Sequence, residues 1–375
     1  MNEARRAVAR AVRGIACLTL LLTVGKTLPG SQTAVASPAL RCTGRWVLDA
    51  GAGPGVYNAL YGVDALSTTD VWAVGATAYV TLTGLIEHWD GSAWRSVPNP
   101  TPGTRRIHFV LKSVEAVRSS DVWAVGVAAD VNTGNRTTLI EHWDGSSWQI
   151  VQRPKFGDTS DQLTGVSAVS PSDVWAVGNT DYQQPLIEHW NGDSWSVVDS
   201  PRVRPGGTLA DVSAVARDDV WAVGYRETSH SSLKPLIEHW NGHVWRILPT
   251  RFGGDLEGVS ASDADHVWGV GTSVLDWNGR TWKQVDNPQL GDLVAVSAPA
   301  LNDAWAVGTH SHSVDPRQVY SEHWDGSHWS LVHMRQPAGT GFDEVNDVTS
   351  VSSHAWAVGR SGDPDGNGTL IEHFC

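Results

Sequence analysis

A Glu-His-Trp phrase ends at Trp89, Trp143, Trp190, Trp240 and Trp324, and returns as Glu372-His373-Phe374. Imidazoles beside carboxylates at a fixed spacing are the raw material of metal sites and of acid–base catalysis. Three smaller constellations have similar chemistry. His310 and His312, with Asp315 nearby, form a His-x-His-plus-carboxylate set suited to a metal or to proton transfer. Asp363, Asp365, Asn367 and Gly368 fit the opening of a calcium loop, D-x-D-x-N-G. Phe374 stands where that loop needs its bidentate Glu, and Asp-Gly-Asn-Gly is also ordinary turn chemistry. No cofactor is therefore expected, with calcium as the one alternative. Asp64 and Glu115 are a carboxylate pair of the kind a glycosidase uses. The G-x-S-x-G elbow, the H-E-x-x-H helix motif and the Gly-rich phosphate loop are all missing.

Repeats decide what can position these groups. The phrase VWAVG begins at Val71, Val122, Val174 and Val220, and recurs as VWGVG at Val267 and AWAVG at Ala304 and Ala355. Six of these seven copies are followed by an Asp/Asn-Gly-x-x-Trp phrase, ending at Trp94, Trp148, Trp195, Trp245, Trp282 and Trp329. The first Trp of each copy follows the last by 51, 52, 46, 47, 37 and 51 residues. Each repeat reads as four short strands, with a tight Ser/Pro/Asp turn after the first and a two-residue Asn-Gly or Asp-Gly hairpin turn after the third. Four strands in a period of about 45–50 residues mark a propeller blade. The expected fold is all-β: a seven-bladed β-propeller of four-stranded antiparallel blades.

The last blade lacks its fourth strand, because the chain stops at Cys375. Residues 42–48 supply it, with Trp46 at the Trp place. That assignment places all 20 tryptophans in the repeat frame. It also puts Cys42 and Cys375 in the same turn, within disulfide range. Three Trp per blade would fill the gap between stacked blades. The recurring His cannot converge on one ion from separate blades. Each is expected to be a buried group satisfied by the Asp before the second strand (Asp70, Asp121, Asp173, Asp219, Asp303). Asp64 and Glu115 replace the first-strand Ser of blades three to six and read as solvated channel charges if not as catalysts.

On these phrases the chain resembles the secreted bacterial propeller proteins built from DVWAVG, LIEHW and DGSxW blades, over residues 42–375. The resemblance implies membership of the broad kelch and galactose-oxidase-like propeller class. It implies no activity, since none of the copper ligands of galactose oxidase finds a counterpart here.

Residues common to every blade build the blade, so function belongs where blades differ. The second-to-third and fourth-to-first connections are long, variable and on one face of the disk. They collect aromatics and Arg, the pairing that stacks on sugars and bonds hydroxyls or carboxylates. The candidate ligand-binding residues are Tyr57, Tyr79, Arg105, Arg106, Arg153, Phe156, Tyr182, Arg204, Tyr225, Arg226, Arg251 and Phe252. Local plugging and solubility would account for the same residues singly. Blade five has only Thr272-Ser273 in its second-to-third connection, which leaves a notch.

The N-terminus reads as an export signal: a basic segment, the apolar run Gly14 to Val24, and Ala34-Val35-Ala36 for cleavage. Residues 1–36 are then removed, leaving 37–375 as one propeller domain with 22 basic and 39 acidic groups. Such a charge disfavours nucleic acid and anionic membranes. An oxidising compartment would allow the Cys42–Cys375 bridge to persist. The sequence thus points to a secreted, monomeric binder of a carbohydrate or an extracellular protein through the long-loop face. The alternative is an extracellular glycan hydrolase or polysaccharide lyase, with its active site in the central pocket of that face.

Overall fold

The computed structural model describes residues 42, 44–103, 107–152, 160–180, 183–229, 232–288, 291–310, 318–335, 343–363 and 366–375. They form seven four-stranded antiparallel sheets. Blade one comprises Tyr57–Ser67, Asp70–Ala78, Leu82–Trp89 and Trp94–Ser96, joined in that order. Blade seven takes three strands from the C-terminus, Glu344–Val351, His354–Asp363 and Gly366–Phe374. Its fourth is Trp46–Leu48, antiparallel to the third with Trp46 opposite Phe374. The ring is closed as the tryptophan tally requires.

The VWAVG phrase is buried at every residue because its strand lies second from the axis, covered on both faces by neighbouring blades. Its Trp reaches across the interface. Trp72 sits 5.2 Å from Trp143 and 5.5 Å from Trp148 of blade two. Trp123, Trp175, Trp221 and Trp268 do the same to the outer tryptophans of the next blade. At the closure, Trp305 of blade six meets Phe374 at 4.5 Å and Trp46 at 5.5 Å, so the N-terminal strand completes the same three-ring contact. Aromatic pairs at these separations add about 0.5–1.5 kcal/mol each beyond the area they bury.

The third strand carries two polar devices, on opposite sides. On one, each His bonds the Asp that opens the second strand. The His88–Asp70, His142–Asp121, His189–Asp173, His239–Asp219 and His323–Asp303 distances are 2.7–2.9 Å. The rings stack on the blade's own Trp, as His88 does on Trp72 at 4.2 Å. Blade five exchanges the partners, with His266 at the Asp place and Asp276 at the His place. Blade seven replaces the pair by His354 and His373, 2.8 Å apart. On the other side, the Glu of Glu-His-Trp is fully buried and anchors the incoming connection from the blade before. Ala52 N–H donates to Glu87, Ser200 Oγ to Glu238, Asn287 Nδ2 to Glu322 and Arg335 N–H to Glu372, each at 2.9 Å.

The turn after the third strand differs from expectation. Trp89 pairs with Trp94, so four residues lie between them rather than two. Asp90 Oδ1 accepts from the N–H groups of Ser92 and Ala93 while Gly91 takes φ 86°. An Asp or Asn side chain that imitates backbone needs this longer loop, which the Asp-Gly dipeptide alone does not reveal.

Cys42 and Cys375 form the disulfide, with Cα atoms 4.7 Å apart at a sequence separation of 333. Gly44 N–H donates to the Cys375 carbonyl beside it. A loop this long gives an entropic stabilisation of at most roughly 5–6 kcal/mol. Replacing both cysteines by Ser should lower the melting midpoint without changing the near-UV tryptophan spectrum at 25 °C. An unchanged midpoint would show that the ring closes on packing alone.

Candidate functional site

The seven first strands surround the axis so closely that three of them need Gly where the next blade's backbone passes. A Cβ on Gly62 would lie 2.8 Å from the Ser113 Cα, and one on Gly258 2.9 Å from the Ala295 Cα. Two residues further along each strand, a side chain bonds the neighbouring backbone. Asp64 accepts from Ala116 N–H at 2.8 Å and Glu115 from Ala168 N–H at 3.2 Å. Ser167, Ser213, Ser260 and Ser297 accept from Ala214, Ala261, Ala298 and Ser350 at 3.0–3.1 Å. Thr349 Oγ1 returns to Asp64 at 3.3 Å and closes the circuit. Asp64 and Glu115 therefore belong to a structural belt. A partial second layer lies above it, in which Asp211 bonds Val259 N–H and Asp347 bonds Val63 N–H, at 2.9 and 2.8 Å.

These carboxyls are partly exposed toward the axis, but each is held by a backbone donor rather than free. Burial raises Asp64, and raises Glu115 and Asp347 further, with neighbouring carboxyls adding to the effect in the latter two. Burial carries Asp211 to about 6.

Directly above the belt, every first strand bulges at the same place. The bulged residues are Tyr61, Lys112, Thr164, Ala210, Glu257, Val294 and Asn346, all partly exposed. A bulge re-aims a side chain and strands tolerate it where function needs it. Here it places seven different residues at one level of the ring, in a frame that otherwise repeats; Thr164 and Asn346 bond the neighbouring carbonyls of Leu209 and Leu60, and Val294 packs against the core. Lys112 Nζ lies 4.1 Å from the Tyr61 ring centroid. Tyr57 and Tyr61 share a hydroxyl hydrogen bond of 3.1 Å, and the Arg360 guanidinium lies 5.9 Å from the Tyr57 ring. Arg360 also pairs with Glu344 at 3.3 Å. Burial, then the charge of Arg136, lowers the Lys112 amine to about 8, and burial raises the Tyr61 phenol.

The face around the mouth of the ring is uneven. Blades one and two have first strands of 11 and 12 residues and stand high. Blade five, across the axis from them in a ring of seven, has a second strand of 6 residues and a third of 4. Its notch side carries Glu227, Asp255 and Glu257, whose charges add to burial in raising the Tyr225 phenol.

Of the sequence candidates, Tyr57 joins the mouth cluster. Tyr79 is 68% exposed, its hydroxyl on the Pro54 carbonyl. Tyr225 and Arg226 lie in the second strand of blade four, opposite Thr208 and Gly207. Arg251 extends over Phe252, which packs against the core between blades four and five. Arg204 is exposed in the connection entering blade four. His310 meets Tyr320 edge-on at 5.5 Å. Arg105, Arg106, Arg153, Phe156, Tyr182, His312 and Asp365 lie outside the described residues. The backbone of Asp363 and Asn367 belongs to an antiparallel hairpin. Among the described residues, the group of three or more ligand side chains close enough for one metal is Cys42, His354 and Cys375, already engaged as the disulfide and its neighbour. Sequence reasoning missed Tyr61, Lys112, Arg136 and Arg360. The signal for Tyr61 and Lys112 was the one first-strand position that differs in every blade.

No family model matches this chain, and no curated protein does. Its fold is shared with solved propellers. The structure titled "YCF48 bound to D1 peptide" matches at TM-score 0.58 and 13% identity, over 92% of this chain and 99% of that one. YCF48 from Cyanidioschyzon merolae matches at 0.54 and 13%, over 88% and 98%. The WD40 propeller domain of Doa1 matches at 0.57 and 12%, over 87% and 96%. The chain is a seven-bladed β-propeller with WD40-like structural neighbours. Among the described residues, no helix is long and apolar enough to cross a membrane.

The buried carboxyls predict how stability follows pH. Burial raises Glu87 and Glu238 to about 7 and Glu141 and Glu372 to about 8, from 4.5. The folded chain then holds these protons more tightly than the unfolded one. The stabilisation is full below the unfolded value and is lost as pH rises through the folded values. The calorimetric melting midpoint should fall steadily from pH 5 to pH 8, and Glu115→Gln, which keeps an acceptor without the charge, should flatten the slope. A midpoint that rises over that interval contradicts the assignment.

Proposed function

We propose that this chain is a secreted binding module that holds a polypeptide partner across its long-loop face. The observation carrying this reading is the ring of bulges, where an otherwise repeated frame places seven different residues at one level. The high side at blades one and two and the notch at blade five suit an extended segment lying across the axis. The likeness to a propeller solved with a peptide supports the same reading, as does the resemblance to secreted kelch- and galactose-oxidase-like propellers. The N-terminal signal and the disulfide support export.

A carbohydrate is the second reading, favoured by the grouping of Arg360, Tyr57 and Tyr61, since such planes suit sugar rings. A glycosidase or lyase is the less favoured class, because Asp64 and Glu115 are committed to backbone donors within the belt.

The exported chain should retain members of a blocked peptide library, release them unaltered in mass, and ignore a glycan array. The double variant Tyr57→Ala/Arg360→Ala should weaken retention at least about tenfold, the size expected for losing one central contact. Changes at His243 or His328, on the short-turn face, should leave it intact. Retention that tracks the short-turn face instead would refute the assignment.

A further inference from the structure

We infer that the mouth beside Lys112 is an anion subsite, and that it seats an aspartate or glutamate side chain of the bound polypeptide. This deepens the reading above and rests on it.

Lys112 belongs to the first strand of blade two at its bulge, and its amine lies across the blade interface over Tyr61. Its amine rests on the face of Tyr61, and among the described residues no acceptor takes the ammonium protons. Tyr61 is held in place because it packs against the buried cluster of Ala76, Val110 and Val127. Neither Lys112 nor Arg136 makes an ion pair among the described residues, whereas Arg360 is already held by Glu344. A half-buried amine without a counter-charge is costly, and the cost is relieved when a ligand brings the missing carboxylate.

The charge distribution argues for the same occupant. The protein carries a formal net charge of -13, so positive groups gathered on one side of the mouth run against the overall balance. Across the axis the notch carries Glu227, Asp255 and Glu257, so the mouth is positive at its high side and negative at its low side. An extended polypeptide with an acidic residue near Lys112 complements that polarity, and a uniformly anionic polymer does not, because its far end would meet the notch carboxylates.

The exported chain, with its disulfide intact, should be screened against a library of N-acetylated, C-amidated heptapeptides with all positions varied. Retained peptides should be enriched in Asp or Glu at one position. A selected Glu peptide should bind at least about tenfold more tightly than its Gln counterpart. Lys112→Gln should abolish that preference, while Lys112→Arg should keep part of it. Near-UV circular dichroism checks that each variant is folded. Peptides retained without acidic preference, or with a preference that survives Lys112→Gln, overturn the subsite but leave a polypeptide-binding propeller standing. Failure to retain any peptide, with capture of hyaluronan oligosaccharides instead, overturns both.

Discussion

Everything in this molecule depends on how seven strands meet around an axis. At three of the interfaces the approach is close enough that Gly62, Gly165 and Gly258 stand where a Cβ would meet the next backbone at 2.8–3.0 Å. The same closeness lets a short polar side chain reach the neighbouring blade. The belt running from Asp64 through Glu115 and the four serines to Thr349 is the result. Each link contributes only about 1 kcal/mol. Its larger effect is to fix the height of each blade against the next, since a slipped blade would leave a buried donor unpaired.

Further out, the gap between blades widens and larger groups fill it. One Trp wedges between two tryptophans of the next blade, and one buried Glu holds the connection crossing the same interface. Belt, wedge and clamp therefore act at three radii on one set of interfaces. The closing interface lacks chain continuity and carries the disulfide in addition. There Phe374 and Trp46 take the places of the two outer tryptophans.

A scaffold held this firmly can let one position per blade vary freely. The bulge supplies that position by taking one residue per first strand out of the ladder register. Tyr61 and Lys112 are neighbours across a blade interface, yet 51 residues separate them in the chain. Their chemistry is shared only because the belt beneath holds their strands in register.

Blade count, strand order, the closure by residues 42–48 and the Cys42–Cys375 pairing were legible in the amino-acid sequence. So was the pairing of five of the six recurring His with the Asp before the second strand, His373 facing His354 instead. All of these follow from local spacing, because each repeat is one supersecondary unit that must stack on its copies. Other features became visible only in three dimensions. Nothing in the Glu-His-Trp phrase says that the Glu would hold the connection from the blade before, since that partner lies outside its own repeat. Asp64 and Glu115 read as free charges because their acceptor role depends on a backbone 52 and 53 residues away. The mouth cluster was hidden for a similar reason: a bulge shifts pairing by one residue, so strand alternation assigns Tyr61 and Lys112 the wrong direction. Local pattern determines which elements form, whereas the distance between chain-remote side chains is set only when the ring closes.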